Sequence, residues 1–165
     1  MFRLFLISFL CLGLTACNLQ KKTPLKPLNY LEGAEKFDVK EFFSKSQEGF
    51  AIILDNQDKI VSKFNVKSSG AWEGNKGTIK FQYNYSKDKT DFRTWLVTVD
   101  NNNNYTIVGH DFLEPAKGRQ KGNVSELLYK MNYEFNRQKS KYSFVDNIYQ
   151  VDKNSVIIIT DIINK

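Results

Sequence analysis

Arg93 is the side chain with the most distinctive chemistry in this chain: a guanidinium two positions before Trp95, in a run of otherwise apolar and small polar residues. Its planar fork of donors suits a carboxylate or phosphate on a ligand. The plainer role is a structural ion pair with Asp111, tying two strands together. Tyr83, Tyr85, Tyr105, Tyr129 and Tyr133 carry apolar bodies with polar tips. They either line an amphipathic pocket or fill the core with hydroxyls at its edge. His110 is the sole histidine and is adjacent to Asp111. Neighbours on a strand point to opposite faces, so the two make no catalytic dyad and a surface histidine is expected. Gly118-Arg-Gln-Lys-Gly122 has glycines at both ends, as phosphate-binding loops do, but no Gly-Lys-Ser/Thr ending and no helix after it. It reads as a long hairpin loop, basic through Lys117, Arg119 and Lys121. With no nucleophile elbow either, a hydrolase is disfavoured, and no catalytic residue or cofactor is expected.

The remaining reactive group is a thiol near the start. Met1-Phe2-Arg3 precedes an apolar run from Leu4 to Leu14, and small residues Thr15 and Ala16 lead to Cys17. One positive charge, a short apolar core and small residues make a secretory signal peptide. Crossing a bilayer takes roughly 20 apolar residues, and this run stops short of that. Leu14-Thr15-Ala16-Cys17 resembles the lipobox of bacterial lipoproteins, in which the cysteine sulfur takes a diacylglyceryl group before cleavage leaves it as the acylated first residue. The resemblance implies residues 1–16 as signal, lipidation at Cys17 and attachment through acyl chains. Asn18, where inner-membrane lipoproteins often carry Asp, directs the expectation to the outer membrane, facing the periplasm.

Removing residues 1–16 from 165 leaves 149, enough for one domain with a core. Cys11 leaves with the signal and Cys17 is lipidated, so no thiol remains for a disulfide, a metal site or a nucleophile. The chain carries a formal net charge of +6. A lipid anchor makes that charge more relevant to anionic lipid than to nucleic acid, and no nucleic-acid partner is expected. Residues 17–36 mix lysine and proline without a period and read as a flexible tether; residues 37–165 are the folded domain.

Asp38-Val-Lys-Glu41 has the form of a capping box and predicts a short helix over residues 38–45. From Gly49 onward apolar runs alternate with turn residues: 50–54, 60–66, 78–85, 92–99, 105–112, 126–135, 142–149 and 156–163. Period-two alternation is clearest in Ile79, Phe81, Tyr83, Tyr85 and in Leu127, Tyr129, Met131, Tyr133, Phe135. These runs predict an all-β domain, an antiparallel up-and-down barrel of about eight strands with a short N-terminal helix. Such a barrel closes around a packed core or one small ligand. If Asp100–Asn104 is a hairpin loop, Val99 faces Tyr105, Val97 faces Ile107, Trp95 faces Gly109 and Arg93 faces Asp111, all on one face, with the glycine leaving room for the indole.

Arg93-Thr-Trp95, Gly109-His-Asp111, Ala116-Lys-Gly118 and Gly122-Asn123 resemble the spaced motifs of a bacterial lipoprotein family known as domain of unknown function 3833. Gly109-His110 tightens that family's spacing before Asp111, and Val124 stands where a small residue is usual. The resemblance implies a lipocalin-like architecture and carries no established activity. Taken together, the sequence predicts a non-enzymatic, membrane-anchored barrel that binds a small amphipathic or lipid molecule, with Arg93, Trp95, Tyr83, Tyr105 and Tyr129 as candidate contacts. The alternative is a solid-core barrel acting as a structural or interaction protein of the envelope. No metal site is expected.

Overall fold

Nine strands, each paired antiparallel to the next in chain order, form one sheet. They are β1 (Gln47–Leu54), β2 (Ile60–Glu73), β3 (Lys76–Ser86), β4 (Lys89–Val99), β5 (Asn104–Val108), β6 (Ala116–Lys121), β7 (Val124–Phe135), β8 (Gln138–Asp152) and β9 (Ser155–Asn164). This computed structural model describes residues 28, 30–32, 34–86, 89–135 and 138–164; Cys17 and residues 1–16, expected as a signal, lie outside them. The sheet curls into a half-barrel. Among the described residues no ladder joins β1 to β9, so both remain edges. The all-β up-and-down architecture is the one expected, with nine strands instead of about eight.

The additional strand is β6. Residues 116–121, expected within a basic hairpin loop, pair with β5 through Tyr105↔Gly118 and Ile107↔Ala116, and with β7 through Arg119↔Glu126. Its inward residues are Ala116, Gly118 and Gln120, so it shows no apolar alternation. Gly118 lies under Tyr105, where any Cβ would collide with the phenol ring, and Gln120 Oε1 accepts the Val39 N–H at 3.1 Å. The basic residues face outward: Arg119 Nε donates to Glu126 Oε1 at 2.8 Å, and Lys121 lies 4.9 Å from the ring of Tyr30.

The β4–β5 hairpin has the register read from the sequence, with Val99 opposite Tyr105 and Val97 opposite Ile107. Asp100 Oδ1 accepts the N–H groups of Asn102 and Asn104, and Asn103 takes the left-handed conformation (φ 60°) that asparagine tolerates. The ladder ends at Leu96↔Val108, short of the expected Trp95–Gly109 and Arg93–Asp111 pairs. Beyond Val108 the chain turns, with Phe112 N–H bonded to the Gly109 carbonyl and Phe112 bridging to Met131. A Cβ on Gly109 would meet Asp111 Oδ1 at 2.9 Å, so this glycine serves the turn and not the indole. The glycine that accommodates an indole is Gly77, where a Cβ would lie 2.6 Å from the ring of Trp72.

Helix α1 (Val39–Phe43) begins where Asp38 Oδ1 accepts from Lys40 N–H at 2.7 Å and Glu41 N–H at 2.9 Å, satisfying two of the donors a helix start leaves open. Ser44 caps it by bonding back to the Lys40 carbonyl, so the helix is shorter than residues 38–45. Phe37, Val39 and Phe43 are buried. The Phe43 carbonyl rests against Gly70 of β2, which leaves no space for a side chain, so the helix sits directly on the sheet. Phe37 N–H bonds to the Gly122 carbonyl and Leu31 N–H to Asn123 Oδ1, which pins the segment before the helix along the β6–β7 turn. In an up-and-down sheet this turn is at the opposite end from the β3–β4 connection.

Candidate functional site

Alternation along β3 and β4 turns Phe81, Tyr83 and Tyr85, and Asp91, Arg93, Trp95 and Val97, to the concave face. Their rings continue those of helix and sheet in one row. Phe43 meets Phe81 at 5.8 Å between centroids, Phe81 meets Trp95 at 4.4 Å, and Trp95 meets Phe112 at 5.5 Å. Phe112 meets Tyr129 at 5.3 Å, and Tyr129 stacks on Phe144 at 4.8 Å. Tilted and offset contacts at these separations suit the ring quadrupoles and add to the area they bury. The row fills the centre of the half-barrel, so polar groups have only its margins.

Arg93 occupies one margin. Its guanidinium lies 4.8 Å from the Tyr83 ring centroid, its Nε donates to Asp91 Oδ2 at 3.2 Å, and its Nη1 is 3.3 Å from Asp111 Oδ2. The Arg93 and Asp111 side chains are only 14% and 11% exposed. They meet through the turn after β5, which swings Asp111 inward, and not as ladder partners. Both oxygens of Asp111 are buried and accept no hydrogen bond among the described residues, so this pair is held by charge alone; Trp95 Nε1 is likewise buried without an acceptor. Two carboxylates and an aromatic face thus surround the guanidinium, which leaves it poorly placed to clamp an anion.

Asp146, on β8, is the polar residue that sequence reasoning missed. It is 8% exposed, opposite Thr160 of the open edge strand β9. Thr160 Oγ1 donates to its Oδ1 at 2.7 Å and Tyr129 O–H donates to the same oxygen at 3.4 Å. Among the described residues no cation pairs with it. Burial pushes its carboxyl up to about 6, against the opposing effect of these two hydrogen bonds. The available signal was weak: one Asp at an inward position of a strand whose other buried residues, Phe144 and Ile148, are apolar.

Of the candidate contacts, Arg93, Tyr83, Trp95 and Tyr129 lie along or beside the aromatic row. Tyr105 is buried in the same core but outside that row, with its hydroxyl engaged inside the protein. Ser125 Oγ donates its only proton to the Arg119 carbonyl at 3.0 Å, so Tyr105 O–H donates to Ser125 Oγ at 2.7 Å. Burial raises the phenols of Tyr83, Tyr105 and Tyr129 well above the ordinary tyrosine range and moves Tyr85 up to about 12, so all four are neutral donors at neutral pH. His110 is exposed. A groove of about 180 Å³ lies beside the β5–β6 connection, lined by Val108, Phe112, Leu113 and Pro115, and is smaller than most ligand pockets. Among the described residues no three His, Cys, Asp or Glu side chains converge as metal ligands would.

Fold and site together define an antiparallel half-barrel with an aromatic concave face, bordered by a neutralised arginine and an isolated buried carboxylate. The chain belongs to the family described as Protein of unknown function (DUF3833), which matches residues 11–164. No curated protein and no solved structure matches it.

Proposed function

We propose that this is a bacterial lipoprotein, anchored through acyl chains on Cys17 in the cell envelope and facing the periplasm from the outer membrane, whose lipocalin-like half-barrel binds a small amphipathic or lipid molecule without chemically altering it. The observation that carries this reading is the open side of the barrel. Because β9 has no outer partner among the described residues, its inward row of Ile158, Thr160 and Ile162 stays accessible beside the aromatic wall. Apolar surface with a few convergent polar groups, here Asp146, Tyr129 and Tyr83, is the composition of a site for an amphiphile. The position of Leu31 and Phe37 on the β6–β7 turn supports the anchoring part, since a tether leaving there keeps the opposite end, with Tyr85 and the β3–β4 connection, away from its attachment.

Native mass spectrometry tests it. The chain with Cys17→Ser, expressed in bacterial periplasm and purified without detergent, should carry a bound amphiphile that Asp146→Asn diminishes. A repeated apo mass refutes it.

A second reading, a solid-core interaction protein of the envelope, is favoured by the filled interior and by one edge. Phe50 of β1 is 84% exposed, and Ile52 and Leu54 share its outward face. Exposed apolar residues on an unpaired edge invite association. A photo-crosslinker at position 50 should then capture one defined envelope protein, whether or not a small molecule is bound.

A further inference from the structure

We infer that the amphiphile taken by the concave face carries a cationic ammonium headgroup, received by Asp146, with its alkyl chain along Ile158 and Ile162 of β9. This rests on the ligand-binding reading above and names the ligand class.

The charges turned to the concave face decide it. Among the described residues they are Arg93, Asp91, Asp111 and Asp146, with Lys89 exposed at the rim over the Tyr85 ring. Arg93 already has Asp91 and Asp111. An anionic headgroup would therefore find no unpaired buried cation and would approach two buried carboxylates. An ammonium finds the reverse. Both hydrogen bonds that Asp146 receives end on Oδ1, and no described residue donates to Oδ2. Thr160, which holds Oδ1, is itself exposed on the open edge, giving the carboxylate a route to the ligand. The stacked pair Tyr129 and Phe144 stands beside it and gives the carboxylate an apolar surround, in which its attraction for a cation is stronger than in water. Ile158 and Ile162 flank Thr160 on the same face of β9. A divalent metal fits less well, because no three ligating side chains converge there among the described residues.

The test compares two probes of equal chain length, dodecylammonium and dodecanoate, below their micellar concentrations, by calorimetric titration of the full chain carrying Cys17→Ser. At pH 7.5 the ammonium should bind about ten- to a hundredfold more tightly, the range for a charge-assisted hydrogen bond. The chain's net charge of +6 would by itself favour the anion, so long-range attraction cannot produce this preference. Asp146→Asn should abolish it. Affinity for the ammonium should also fall about tenfold between pH 7.5 and pH 5 as the carboxyl protonates. Binding of dodecanoate as tight or tighter overturns the ammonium assignment and leaves the ligand-binding reading standing; binding of neither overturns both. Preference retained in Asp146→Asn removes Asp146 from the role. If that variant does not fold, the pH profile of the unsubstituted residue decides, and an affinity unchanged down to pH 5 overturns the assignment.

Discussion

Replacing Asp146 by Asn should stabilise the protein at neutral pH and leave it unchanged in acid. Burial raises the folded-state carboxyl from 3.8 to about 6, so the native state holds this proton more tightly than the unfolded chain does. Below the unfolded value both states are protonated and Asp146 costs nothing. As pH rises past 3.8 the unfolded chain ionises first, and stability falls until the folded carboxyl has also ionised above about 6. The interval corresponds to roughly 3 kcal/mol. Asparagine keeps an oxygen for the Thr160 hydroxyl and has no charge to desolvate, so it should escape most of this penalty. Urea unfolding at pH 4 and pH 7.5 measures it: the two proteins should nearly coincide at pH 4, and the variant should be the more stable at pH 7.5. Taking the difference between variant and parent removes the contributions of other titrating groups. If both lose stability in parallel from pH 4 to 7.5, Asp146 ionises without cost in the folded state and the reasoning about its isolation fails.

Three other substitutions probe the framework. Arg93→Met should cost about 3–5 kcal/mol in urea unfolding by stranding the buried Asp111 carboxylate, and adding Asp111→Asn should recover a large part of that; additive losses would show that the pair is not coupled. Gly118→Ala should lower stability by about 1–3 kcal/mol or more, because the new methyl enters the Tyr105 ring, and pairing it with Tyr105→Ala should remove the clash. Asp38→Ala should cost about 1 kcal/mol in the same assay by freeing the two N–H groups at the start of α1, whereas Asp38→Ser should cost little.

The sequence by itself determined the fold class, the course of most strands and one hairpin's register. Alternation in Leu127, Tyr129, Met131 and Tyr133 leaves only one face that can be buried, and the Asp100–Asn104 loop places Val99 against Tyr105 by counting alone. Its motifs also pointed to the family. Strand β6 was hidden because its inward positions, Ala116, Gly118 and Gln120, are small or polar, and at Gly118 that is imposed by the Tyr105 ring on the neighbouring strand and not by any local pattern. The meeting of Arg93 with Asp111 was anticipated, but by a ladder that ends before reaching them; a turn that brings Asp111 inward is set by tertiary contacts. Asp146 could be judged only in three dimensions. A lone Asp within a strand reads as an exposed residue until the fold shows it buried, bonded to Thr160 of the next strand and without a cation among the described residues. Whether β1 and β9 join was likewise decided by the curl of the whole sheet. Local sequence sets which face a residue takes, but which elements lie across from that face depends on contacts between residues far apart in the chain.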